Sequence, residues 1–310
     1  MAAALLTLLV GLHAGGRSDS SAQTRPQFRA VVDAVTVDAF AHRNGNPQTG
    51  LTKDDFTLRD NGVEQRIEAI STTDNAHLIV GLDVSGSVDG ATLEQLRAAV
   101  GTVVSQLTDD DRFSLFSFSH RLRLLRRAAV PSGATAGVLD ELQAGGSTVL
   151  HDAVVLGTAL ARADIRPALF VLFTDGSDTG SWSSAAVALD AVRQGHVVVF
   201  TVGAGLAGGL PSRPGTDYIR HPTWLPPMPS DTLRFMQSVA DISGGEFLRV
   251  DKSAPLADTF RGILARYRQR YLLTYTPTNS SAPGWHRLDV RLRNRAGTVV
   301  AREGYMARQP

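Results

Sequence analysis

Five oxygen-bearing side chains, in three separate segments, have the types and spacing to do chemistry together. The apolar run His77-Leu-Ile-Val-Gly-Leu ends in Asp83, and Ser85 and Ser87 follow at alternate positions. A second apolar run ends in Phe173-Thr-Asp-Gly-Ser-Asp178, which places Asp175 at its tip. Between them, Gly145-Gly-Ser-Thr148-Val-Leu-His-Asp152 reads as a flexible loop entering a helix, with Thr148 placed to add a third hydroxyl. An oxygen-only corner of this kind suits a small hard cation such as Mg²⁺. Two carboxylates balance a dication, while three hydroxyls are weak neutral ligands. The ion therefore retains a demand for one more anionic oxygen, which an Asp or Glu of a partner protein can supply. Taken singly, each of these residues reads first as a turn former or helix cap.

The five can meet only if the intervening elements bring them together. From residue 76 onward, apolar strands alternate with segments of helical spacing. The strands are 76–84, 113–118, 168–174, 197–202 and 247–250, with 122–125 a further candidate. The helices are 91–107, 149–163, 185–194, 231–242 and 256–270. This alternation predicts an α/β fold, a doubly wound, mostly parallel sheet covered on both faces. Ligands of such sheets bind at the carboxyl ends of the strands, where the winding reverses. Asp83 and Asp175 share that rim if their strands are neighbours. Gly203 to Pro229 is a long loop rich in glycine and proline, of a length that is usually functional or disordered.

The flanks read differently. Phe28 to Phe40 is a strand pattern, Arg43 to Pro47 a turn cluster, and Asn61-Gly62 a hairpin turn between Phe56–Asp60 and Val63–Ile70. After Arg270, Leu288, Val290 and Leu292 alternate with charged residues as a half-buried strand. Tyr271–Tyr275 and Thr298–Tyr305 are its expected neighbours. Small isolated sheets are marginal, so residues 26–72 and 271–308 are expected to pair into one discontinuous β domain around the α/β domain, 76–270.

The bulk numbers bound the function. The chain has 310 residues, 43% hydrophobic and 20% charged, with a net charge of +1. No strong field argues for nucleic acid or an anionic membrane. Without cysteine there are no disulfides, thiolate metal sites or cysteine nucleophile. Ala2 to Ala14 is apolar, and Ser20-Ser21-Ala22 offers small residues for cleavage before Gln23, so residues 1–22 read as an export signal. The first charged side chain is Arg17, so the usual basic start is missing and an uncleaved anchor is the alternative. A secreted or periplasmic protein is expected, with no other membrane span.

The combination Asp83-x-Ser85-x-Ser87, a Gly-Gly…Thr148 loop and a later Thr174-Asp-Gly resembles the von Willebrand factor A domain, over roughly residues 76–270. The flanking stretches Thr49–Phe56, Tyr271–Tyr275 and Arg302–Tyr305 are similar to those of secreted bacterial proteins with a related domain. The resemblance implies a Rossmann-like fold and a metal-ion-dependent adhesion site formed by Asp83, Ser85, Ser87, Thr148 and Asp175. It also implies that the hydroxyls bind Mg²⁺ directly while the aspartates act partly through water, with Mn²⁺ or Ca²⁺ as alternatives. Thr148 is preferred to Ser147 because it keeps the four-residue spacing to Asp152. The implied function is extracytoplasmic, metal-dependent binding of a protein that presents Asp or Glu.

Two other readings compete. A haloacid-dehalogenase-like phosphatase also sets aspartates around Mg²⁺ at strand ends, but it carries a second aspartate where this chain has Ser85. It also commonly uses a lysine, and none occurs between Lys53 and Lys252. A serine hydrolase needs glycine where this chain has Asp83. The second competitor is a structural module with a vestigial metal site. Asp152 and Asp178 read as structural, His151 as a core-edge residue, and His120, His196 and His221 suggest nothing specific. Trp182 and Trp224 lie in loops near the expected mouth, as partner contacts or as plain packing.

Overall fold

Turn residues at the ends of short apolar stretches set the first elements. The structure is a computed structural model that describes residues 34–307, apart from 89, 132–134, 205–229, 251–254 and 279–282. The expected export signal, residues 28–33, His221, Trp224 and nearly all of the long loop lie outside the described residues. The chain opens with strands β1 (Val35–Arg43), β2 (Asn46–Pro47), β3 (Phe56–Asp60), β4 (Val63–Gln65) and β5 (Ala69–Thr72). Asn61 and Gly62 take φ of 49° and 84°, the left-handed pair that closes β3 onto β4.

The alternating region follows as β6 (His77–Asp83), α1 (Gly90–Val104), β7 (Arg112–Phe118), β8 (Leu122–Ala129), α2 (Thr135–Asp140) and α3 (Leu150–Leu160). It continues with β9 (Ala168–Thr174), α4 (Ala185–Gln194), β10 (Val197–Ala204), α5 (Ser230–Ser243), β11 (Phe247–Val250) and α6 (Leu256–Tyr267). The chain closes with β12 (Tyr271–Tyr275), β13 (Gly284–Leu292), β14 (Thr298–Ala301) and β15 (Gly304–Ala307).

The central sheet runs β11-β10-β9-β6-β7-β8. Its pairings are parallel except for the antiparallel edge strand β8 on β7. The chain winds from β6 to β7 and β8, then crosses back to lay β9 on the other side of β6. The winding therefore reverses between β6 and β9, with Leu82 opposite Phe173. Every residue of β6, β9 and β10 is buried, because helices cover both faces. Leu78, Val80 and Leu82 pack with α1 and α6 through Leu96, Val100, Phe260 and Leu264. Ile79, Phe170 and Leu172 face α3, α4 and α5. Gly157 lets α3 lie close on the sheet, since an added methyl group would stand 2.2 Å from Phe170 Cζ. This is an α/β, Rossmann-like arrangement.

The flanking strands form two sheets, not one. β1 pairs with β12 and β14, and β12 also pairs with β5. β13 pairs with β3 and β15. Tyr271–Tyr275 is thus no neighbour of β13, contrary to expectation, and Thr298–Tyr305 splits into β14 and β15, one in each sheet. The alternating strands explain why. Each buries one face only, and the inner faces bury each other, Val37, Tyr271 and Leu273 against Phe56, Leu58 and Val290. Arg270, at the start of β12, is 1% exposed. It ion-pairs with Asp38 of β1 and donates to Gly244 O after α5 at 2.8 Å.

Candidate metal site

Asp83 ends β6 with its carboxylate buried. Its Oδ1 accepts from Ser85 N–H at 2.8 Å, and its Oδ2 accepts from Thr174 Oγ1 at 2.6 Å. Thr174 is the last residue of β9, the adjacent strand, so the crossover itself supplies this second bond. Ser85 Oγ lies 3.2 Å from Ser87 Oγ, and Ser87 Oγ donates to Asp175 Oδ1 at 2.6 Å. A continuous chain of oxygens therefore runs from Ser85 through Ser87 to Asp175 across the switch point.

Thr148 reaches the same rim. Its Oγ1 would stand 3.4 Å from a methyl group added at Gly176, and Ser87 Oγ 3.8 Å from it. The two hydroxyls thus flank one glycine whose missing side chain leaves the space open. Ser147 Oγ instead lies near Gly180. The Gly145–Gly146 loop is tied to the rim by backbone bonds, Gly145 N–H to Val84 O at 2.8 Å and Gly86 N–H to Gly146 O at 3.1 Å. The structure thus gathers all five expected residues at one rim. Thr174 is the residue that sequence reasoning missed. Its motif, Thr-Asp-Gly, was visible, but only the aspartate was assigned a role.

The electrostatics fit a cation. Burial pushes the Asp83 carboxyl up to about 6, and Asp175 adds to this, against the hydrogen bonds from Thr174 and Ser85. Among the described residues no cationic side chain contributes to its surroundings. A buried carboxylate served only by neutral donors is costly, and a dication at the rim removes that cost. Among the described residues no group of three His, Asp or Glu gathers to hold a metal. An ion here depends on the hydroxyls.

Comparison with known proteins agrees with this arrangement. Residues 77–213 match the family model of the von Willebrand factor type A domain. Residues 77–213 are a von Willebrand factor type A domain. It is similar to an uncharacterized protein of Synechocystis sp., 31% identical over 134 residues, 42% of this chain and 32% of that protein. It is also similar to inter-alpha-trypsin inhibitor heavy chain 4 of Mus musculus, 25% identical over 155 residues, 45% of this chain and 16% of that protein. The chain thus matches less than a third of the length of either relative. A solved von Willebrand factor type A protein from Catenulispora acidiphila shares the fold, with a TM-score of 0.50 and 15% identity over 84% of this chain and 75% of that one.

Next to its candidate metal site, the von Willebrand factor type A domain holds one loop in place by side-chain bonds. Asp152, in the first turn of α3, accepts from Trp182 N–H and Ser183 N–H, both at 2.9 Å. Asp178 accepts from His151 N–H at 3.2 Å and from Ser181 Oγ. Both aspartates are structural, as expected, and His151 sits at a core edge with its ring 4.6 Å from that of Phe235. The loop they brace holds Trp182 99% exposed, so among the described residues its indole packs on nothing. Two residues earlier, Gly180 N–H donates to Thr148 O at 3.1 Å, which ties this segment of the loop to Thr148. Among the described residues no helix is long and apolar enough to cross a membrane.

Proposed function

We propose that this domain is a divalent-cation-dependent protein-binding module. Asp83, Ser85, Ser87, Thr148 and Asp175 hold the ion, Mg²⁺ first, with Mn²⁺ or Ca²⁺ as alternatives. When bound, the ion supplies an electrophilic centre for an Asp or Glu carboxylate of the partner. The observation that carries this reading is the buried, cation-free Asp83 beside the hydroxyl chain Ser85–Ser87–Asp175. The chain's own residues contribute orientation. Thr174 and the Ser85 amide fix the Asp83 carboxylate, and Ser87 fixes Asp175. Trp182, exposed on its braced loop, is the apolar contact beside the ion. Catalysis is not part of this reading, which rests on Ser85 standing where a phosphatase of the haloacid-dehalogenase type carries a second aspartate.

Residues 1–22 are proposed as an export signal and the protein as secreted or periplasmic. The flanks 26–72 and 271–308 are proposed as a discontinuous β domain around 76–270. The pairing of β1 with β12 and of β3 with β13 supports that division.

The test is affinity capture from envelope and culture fractions, using the full chain with Mg²⁺, the chain with chelator, and Asp83→Ala. A protein recovered only in the first arm, and released by free glutamate, supports the reading. Equal recovery in all three arms overturns it.

A further inference from the structure

Strand β8 ends the central sheet on the side away from β9, and among the described residues no strand lies beyond it. It runs for 8 residues, longer than the usual 5–6 or so. Alternate backbone N–H and C=O groups of an antiparallel edge strand point away from its one neighbour, here over Leu122–Leu124, before the pairing with β7 shifts register on either side of Leu115. The side chains are as distinctive as the position. Leu122 and Leu124 are 38% and 46% exposed. They sit opposite Phe118 and Phe116, on the face of the sheet that α3 covers further in. Arg121, Arg123 and Arg127 are exposed as well, and among the described residues Glu141 is the one carboxylate that ion-pairs with any of them, through Arg123 at 2.7 Å.

We infer that β8 is a second binding surface, which takes an extended acidic segment of another protein as an added strand. Backbone hydrogen bonds give such an addition its affinity, and alternate side chains give it specificity. Leu122 and Leu124 offer apolar contacts to one face of the incoming strand. The arginines select Asp or Glu on it. Charge also decides against the obvious competitor, a second copy of this chain. Edge-to-edge pairing of two β8 strands sets arginines against arginines, and like charges facing each other across strands are unfavourable. This surface needs no metal, so it goes beyond the function proposed above and stands or falls separately.

The probe is a fluorescent acetyl-(Glu-Val)₄-amide peptide, with acetyl-(Lys-Val)₄-amide as control, titrated into the full chain by anisotropy. The acidic peptide is expected to saturate and the basic one to show no binding. Both titrations are run in chelator, so that the metal site proposed above takes no part, and there the Arg123→Glu/Arg127→Glu double variant should weaken the acidic curve at least tenfold. Hydrogen exchange of the unmodified chain should show new protection of the β8 amides on adding the acidic peptide. That measurement decides the matter even if the double variant fails to fold. In chelator, equal binding of both peptides, binding without β8 protection, or no binding would each overturn the inference. So would β8 protection in peptide-free protein that sediments as a dimer, because the occupant would then be a second copy.

Discussion

Thr174 Oγ1 donates to Asp83 Oδ2 at 2.6 Å, so the last residue of β9 holds the last residue of β6. The bond is buried, and hydrogen bonds to charged groups contribute about 1.5–3 kcal/mol. Thr174→Val keeps the shape and removes the donor. We expect cation affinity to fall about tenfold or more, read as Mn²⁺ binding by electron paramagnetic resonance titration. An unchanged titration would mean that Asp83 is oriented without Thr174.

Trp182 should separate partner binding from metal binding. It is 99% exposed, and substitutions at such positions change stability by roughly 0.5 kcal/mol or less. Trp182→Ala is therefore expected to leave the melting temperature and the Mn²⁺ titration in place while reducing Mg²⁺-dependent partner capture several-fold. Full capture by the variant would assign the indole no role in binding.

His77 makes the fold sensitive to acid. Burial lowers its pKa to about 4, with Asp164 raising it and Arg166 lowering it by smaller amounts. Its Nε2 lies 2.8 Å from Ser114 Oγ. The unfolded residue titrates near 6.5, so below that pH the unfolded chain takes up a proton that the fold refuses. Stability from this group is complete above pH 6.5 and is lost as pH falls toward 4, by about 3 kcal/mol in total. Urea midpoints across this range should show the gap between the unsubstituted chain and His77→Phe shifting in favour of the variant as pH drops. A gap independent of pH would refute the assignment.

Arg270 fastens the flanking strands to the central fold. Removing one member of a buried ion pair costs about 3–5 kcal/mol, because the remaining charge stays buried. Arg270→Ala strands Asp38 and leaves Gly244 O without this donor. A loss of that size is expected in chemical denaturation. Adding Asp38→Ala to the variant should recover part of it. A loss under about 1 kcal/mol would place the pair among ordinary surface bridges.

Much of this was legible before any coordinates, for physical reasons that differ by element. β6 and β9 are buried on both faces, so each reads as an unbroken apolar run, and the residue after the run is necessarily at the rim. Asn61-Gly62 was readable because few dipeptides tolerate two positive φ angles. The partners of β12 and β13 were not readable. Alternation says that one face is buried but is silent on what covers it. Helix α2 is too short to show a period. Thr174 escaped because its role exists only across a strand boundary, where sequence distance carries no signal. Trp182 could not be assigned either, since Ser181-Trp-Ser-Ser184 has no periodicity that separates an exposed indole from a packed one.

The two halves of the rim are 91 positions apart in the chain. A growing or threading polypeptide therefore carries Asp83 for a long stretch before Thr174 and Asp175 exist to meet it. Contacts of such long range form late in folding, and a cation has nothing to hold until β9 has docked beside β6. On the proposed reading of the site, ion uptake thus doubles as a certificate of completed assembly. A chain that has not closed its sheet presents a lone aspartate, which no partner carboxylate has reason to approach.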